Sequence, residues 1–223
     1  MILRDSSIFV TNTLIYTNMT WSFNMKRLLL LIPFLLLSAC VSTPPPRDVN
    51  NVCSIFKQYP KWYLDAKDAE RRWRVPVAVQ MAIIHQESKF DANATPKRTK
   101  LLWIIPWKRP SSAYGYTQAL RATWAQYKKS DGGVWAARDD FTDAVDFVGW
   151  YANQAYRRAG IQRDDTYNLY LAYHEGIGGF MRKTYLQKPW LIGVARKVKM
   201  RAMIYQAQMA RCGRGSSYYR GYK

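Results

Sequence analysis

Apolar residues recur at helical spacing through most of the chain from residue 50 to about Met209, and no series of alternating strand patterns appears. Residues 50–59 and 61–74 read as two short helices with Ile55, Phe56, Trp62, Tyr63 and Trp73 turned inward. Pro76 suits the first turn of a third helix, where its missing N–H is not needed. There Val77, Met81, Ile84 and Ser88 recur at helical spacing, with Val79, Ile83 and Glu87 beside them. Thr117 to Lys129 reads as helix, and Asp131-Gly132-Gly133 as a turn. Asp139 to Ala159 gives a longer helix with Phe141, Val145, Val148 and Ala152 on one face, stopped by Gly160. Asp164 or Asp165 caps another that runs into Ala172 and Tyr173 and is broken by Gly176, Gly178 and Gly179. Pro189-Trp190 opens a last helix, to about Met209, bearing Ile192, Ala195, Val198 and Met203. Between Pro96 and Pro110, two strand-like apolar halves flanked by basic residues suggest a hairpin or an extended flap, covering the core or walling a groove. The pattern predicts an all-α fold in a single globular domain, α+β at most through a small β-hairpin.

Residues 25–40 break this pattern. Lys26 and Arg27 form a basic start, Leu28 to Leu37 an apolar run too short to span a bilayer, and Ser38-Ala39 a small-residue cleavage site. Leu37-Ser38-Ala39-Cys40 resembles the lipobox of bacterial lipoproteins, which implies cleavage before Cys40 and lipid on that cysteine. Residues 1–24 are then an upstream extension, 25–39 a lipoprotein signal peptide and 40–50 the lipidated cysteine with a tether stiffened by prolines. Residues 51–212 form the globular domain, and 213–223 a flexible basic, tyrosine-bearing tail. Val41, and no Asp, follows Cys40; by resemblance to the known sorting rule this favours the outer membrane, facing the periplasm. In that oxidising compartment Cys53 and Cys212 are expected to pair as a disulfide tying the ends of the domain, two buried thiols being the alternative.

Composition changes the picture in one respect. The net charge of +19 calls for an anionic partner: nucleic acid, a membrane surface or an acidic polymer. Export argues against nucleic acid, and no recognition motif supports it.

The chemistry centres on Glu87. A carboxyl held against apolar neighbours resists ionisation, so its pKa is expected to rise towards the range of a general acid. Three stretches now line up. Glu87-Ser88-Lys89-Phe90 resembles the Glu-Ser-x-Phe motif of the lysozyme-like soluble lytic transglycosylases. Ala113-Tyr114-Gly115-Tyr116-Thr117-Gln118 is similar to their Ala-x-Gly-Leu-Met-Gln, and Ala172-Tyr173-His174-Glu175-Gly176 to their Ala-Tyr-Asn-Ala-Gly. The match covers roughly residues 60–210, with Tyr116-Thr117, His174-Glu175 and the Pro96–Pro110 insert as departures.

The resemblance implies a lysozyme-like fold and a peptidoglycan lytic transglycosylase, a carbon–oxygen lyase on polysaccharide. It would cleave the MurNAc-β-1,4-GlcNAc bond without water, leaving 1,6-anhydroMurNAc ends. Glu87 would act first as acid and then as base, Tyr173 would hydrogen-bond and orient it, and Ser88 would support it. Gln118, Gly115, Tyr116 and His174 fall at substrate-binding positions, Gly115 letting backbone approach the glycan. The partners implied are peptidoglycan strands and, through Cys40, the membrane; no cofactor is implied, no metal spacing appears, and a monomer is expected. A hydrolytic muramidase and a non-catalytic peptidoglycan-binding lipoprotein are the competing readings. Glu175 would serve the first if it faced Glu87; otherwise it is expected to be solvated. His85 is expected to be structural.

Overall fold

In the computed structural model, Asn51 caps the first helix, its side chain accepting from the backbone N–H groups of Cys53 and Ser54. The structure describes residues 43–96, 100–101, 105–106 and 111–215. The predicted signal peptide, the lipidation site Cys40 and the last eight residues of the tail lie outside the described residues. The helices are α1 (Val52–Gln58), α2 (Pro60–Trp73), α3 (Val77–Ser88), α4 (Arg121–Tyr127), α5 (Phe141–Ala159), α6 (Thr166–Met181) and α7 (Pro189–Gly215). A π-helical turn, Lys128–Gly132, continues α4, and a short 3-10 turn, Thr184–Gln187, joins α6 to α7. Two short antiparallel strands, β1 (Lys100–Leu101) and β2 (Ile105–Pro106), pair Lys100 with Pro106 and Leu101 with Ile105. The domain is therefore mostly helical, and the hairpin forms within the Pro96–Pro110 stretch.

Helix α3 lies at the centre. Every residue from Val77 to Ile84 is buried, the pattern of a helix covered on all sides. It packs against α2, α5 and α7. The one polar residue in that run, Gln80, donates through Nε2 to the carbonyls of Ala66 at 3.2 Å and Val75 at 2.8 Å. Around it, Trp62 stacks on Phe141 with ring centroids 4.0 Å apart. On the other side of α5, the Asp146 carboxylate accepts from Trp73 Nε1 at 2.7 Å and Tyr127 Oη at 2.8 Å, and pairs with Arg72 at 2.9 Å. Polar bonds of this kind fix helix register where apolar contact alone is permissive. Cys53 and Cys212 are joined as a disulfide, Cα atoms 6.3 Å apart, linking α1 to α7.

Several boundaries differ from the sequence expectation, each for a local reason. Helix α4 begins at Arg121 rather than Thr117, because Tyr114 bridges to Ala119 and Gln118 takes a left-handed conformation (φ 50°). Helix α6 does not stop at the glycines; it bends at Gly176 (φ 74°, ψ 152°) and resumes to Met181. Helix α7 runs to Gly215, into the expected tail. Its buried face is Leu191, Ala195, Val198, Ala202 and Tyr205, so Met203 is exposed and Ile192 only half-buried. A helix resting on α3 and α6 in turn shifts its contact face along its length, which a single periodic stripe does not capture.

Candidate active site

Glu87 comes near the end of α3, where the chain turns away through two left-handed residues, Lys89 (φ 52°) and Phe90 (φ 64°). Neither is glycine, so both conformations are strained and must be held by their surroundings. Lys89 N–H caps His85 O at 3.0 Å, and the fully buried Phe90 ring packs near Trp62 and His85. His85 itself sits among Phe90, Tyr205 and the charges of Arg201 and Lys89; burial first, then those cations, lower its pKa to about 4. The packing makes it a structural neutral imidazole.

The Glu87 side chain reaches the floor of a cleft of about 500 Å³, with Gln118, Phe147, Tyr173, His174 and Gly176 among its walls. Burial raises the carboxyl from its ordinary 4.5 to about 7, opposed by the neighbouring Tyr170 hydroxyl. Tyr170 is the residue sequence reasoning missed. It stands one turn before Tyr173 on α6, and the i, i+3 spacing puts both on the face turned to Glu87. That spacing was the available signal. The Tyr173 hydroxyl donates instead to Thr117 O at 2.7 Å, so the expected bond from Tyr173 to Glu87 is corrected: the Tyr170 hydroxyl is the one that favours the ionised carboxyl, and Tyr173 stands beside it and ties α6 to the Gln118 turn.

Gln118 faces the cleft with its amide nitrogen already committed, donating to Ala94 O at 2.8 Å and Gly115 O at 2.9 Å. What it offers a ligand is its carbonyl oxygen, an acceptor for hydroxyl or amide N–H groups. Gly115 does not open backbone to the cleft. At φ 75° it is buried, and a Cβ there would meet the Arg138 carbonyl oxygen at 2.1 Å; the close approach is to the protein's own chain. Tyr116 is likewise corrected from a substrate-binding position to the core. It is 1% exposed, edge-on to Trp62 and Phe141. Ser88 bonds back to Ile84 O at 3.3 Å, an ordinary helix-end use of a serine hydroxyl, and does not line the cleft.

Glu175 lines the same cleft but is not solvated. Its side chain is 4% exposed and accepts from Lys188 Nζ at 2.7 Å and Thr184 Oγ1 at 2.5 Å, with His174 Nδ1 at 3.1 Å. Lys188 above all, then Thr184, hold its carboxyl down at about 2. His174, exposed at the cleft rim, also meets the Trp190 ring edge-on at 5.1 Å. The cleft therefore has two carboxyl groups driven apart in pKa, one able to carry a proton near neutrality and one permanently ionised inside an ion pair. Among the described residues no cluster of His, Cys, Asp and Glu could hold a metal ion.

A model of the transglycosylase SLT domain matches residues 28–212, most of the chain. The chain belongs to the transglycosylase SLT-domain family. No curated protein and no solved structure gives a match. Family membership makes this a lytic-transglycosylase-type domain, and all three motifs quoted from the sequence fall inside the matched span.

Proposed function

We propose that the protein is a peptidoglycan lytic transglycosylase in which Glu87 serves as acid and then as base. The observation that carries this reading is a sugar-sized cleft lined by two carboxyl groups, of which Glu87 is raised to about 7 by burial while Glu175 is held down by its ion pair. Neutral Glu87 protonates the glycosidic oxygen as the bond from the muramyl anomeric carbon breaks, freeing the GlcNAc 4-hydroxyl. The positive charge developing on the sugar is met by the substrate's own acetamido group, the exception to two-carboxylate glycosidases. Glu87, now ionised, takes the proton of the muramyl 6-hydroxyl, whose oxygen closes on the anomeric carbon. An attacking group already within the substrate acts at high effective molarity, so no water is needed. The Tyr170 hydroxyl favours the ionised form that the second step needs.

Inverting hydrolysis would need a second carboxylate to activate water. Glu175 is a poor base at a pKa of about 2, and its oxygens are already engaged by Lys188, Thr184 and His174. Mass spectrometry of digested sacculi separates the outcomes, since an anhydro end is lighter than a reducing end by one water. Anhydromuropeptides that vanish with Glu87→Gln are the expected result. Reducing ends would point to a muramidase, and a Glu87→Gln phenotype equal to wild type to a non-catalytic binder.

The same reading puts the domain on the periplasmic face of the outer membrane, held by lipid on Cys40. The basic surface would then steer it to anionic stems and headgroups. Metabolic labelling with a fatty acid checks the anchor: label lost in Cys40→Ser supports it, and label retained removes it.

A further inference from the structure

Ala113 separates the Glu87 cleft from a second cavity, of about 850 Å³. Helix α4 forms the rest of the partition: Leu120 and Thr123 face the cleft, while Ala122 and Ala125 face the second cavity. The chemistry of this cavity lies in Tyr114, Arg121 and Arg138. Neither guanidinium forms an ion pair among the described residues. Arg138 is anchored rather than waving: Nη1 donates to Ser112 O at 2.7 Å and Ala119 O at 2.9 Å, and its carbon lies 5.2 Å from the Tyr114 ring centroid. Those bonds occupy one nitrogen of a fork that carries five N–H groups. Burial and then the charge of Arg121 lower the pKa of Arg138, opposed by Tyr114 and Asp139, so two like charges line one cavity. The nearest acid, Asp139, accepts from the Tyr114 hydroxyl at 3.0 Å.

We infer that this cavity binds the carboxylates of the peptide stem attached to the muramyl residue, with Arg121 and the pre-set fork of Arg138 as ligands. The inference rests on the reading of the Glu87 cleft as a glycan site. A stem leaves the sugar sideways, through the lactyl group, so a strand lying in the cleft needs room for it across one wall. The shared Ala113 wall supplies that room, and paired guanidiniums match carboxylates in charge and planar geometry.

Binding is measured with the full chain carrying Glu87→Gln, which blocks turnover. The probes are soluble peptidoglycan oligomers with intact stems, the same oligomers stripped of stems by an amidase, and oligomers whose stem carboxylates are converted to amides. Intact stems should bind about tenfold more tightly than amidated stems, and also more tightly than stripped glycan, whose only carboxylates are the lactyl groups that the amidase frees. Arg121→Glu should remove most of that preference, as should Ala125→Glu, which places an anion in the cavity without touching either arginine. High salt should reduce it too. Equal binding of intact and amidated oligomers overturns the inference, as does a preference that neither variant moves. Turnover by the protein with Glu87 intact is scored separately: absence of anhydro ends there removes the catalytic reading, while the three binding constants still decide the stem site.

Discussion

Replacing Glu87 by Gln isolates the energetic consequence of one buried proton. Burial raises the carboxyl from 4.5 to about 7 in the folded chain. Between those values the folded state keeps a proton that the unfolded chain has released, so stability falls as pH rises. The contribution is complete below 4.5 and lost once pH has passed 7. At about 1.36 kcal/mol per pKa unit, the fall is at most about 3 kcal/mol. The carboxyl lines a cleft that solvent can enter, so screening brings the expected value nearer to about 2 kcal/mol. Glutamine is close in shape and neutral at every pH, so the variant lacks this slope. Urea unfolding followed by tryptophan fluorescence, disulfide intact, from about pH 4 to about pH 8 measures both curves. The variant should gain on the wild type through that window, then run parallel above it. Curves parallel throughout would mean that Glu87 ionises as an ordinary carboxylate, and the proton donor at neutral pH would be gone.

Tyr170→Phe removes the hydroxyl that favours ionised Glu87, so the basic limb of the pH–rate profile should move to higher pH and turnover should fall by roughly tenfold; an unmoved limb would mean that the hydroxyl does not act on the carboxyl. Glu175→Gln leaves Lys188 without its buried partner and should cost roughly 1–3 kcal/mol in urea unfolding, with anhydro ends still formed; their loss would bring Glu175 into the chemistry. The low pKa of Glu175 contributes stability above its ordinary 4.5 that is lost as pH falls through about 2, so this variant should also flatten acid unfolding. Gly115→Ala should destabilise by about 2–4 kcal/mol or prevent folding, since its methyl would collide with the Arg138 carbonyl at a positive φ; a variant as stable as wild type would refute that packing. Cys53→Ser with Cys212→Ser opens a loop with a sequence separation of 159 and should cost about 2–5 kcal/mol in the same assay.

What could be read from the sequence was what depends on local period. Helix α3 is announced by its apolar run, and Asp165 and Gly160 mark real helix ends, while the helix expected from Asp139 is capped by Asp140 and begins at Phe141. Glu87, Gln118, Tyr173 and His174 meet in one cleft. Misreadings arose where the answer depends on a side chain's direction out of a turn. In Gly115-Tyr116-Thr117-Gln118 the chain reverses, so Gln118 faces the cleft while Tyr116, two residues earlier, enters the aromatic core. A motif gives spacing but not sidedness. Partners distant in sequence were equally hidden: nothing near Glu175 announces Lys188, which arrives only because α6 bends at Gly176 and a short turn brings the chain back.

That bend also explains how one cleft keeps two carboxyl groups in opposite states. Before Gly176, α6 presents Tyr170 and Tyr173 towards Glu87, whose burial raises its carboxyl against the opposing effect of the Tyr170 hydroxyl. At the bend, Glu175 turns away from that surface and meets a cation and a hydroxyl from the segment after the helix. A straight helix would leave Glu175 in place and carry the segment after Gly176, with Thr184 and Lys188, away from it, leaving a second unpaired carboxylate in the cleft. Like charges so placed would raise the pKa of both, and Glu87 would lose its separate titration. Gly176→Ala tests this coupling, because no neighbour lies within 4 Å of the added methyl and only the left-handed φ resists it. The expected result is a shifted Glu87 titration in the pH–rate profile of a folded protein; an unchanged profile would mean that the bend and the proton donor are independent.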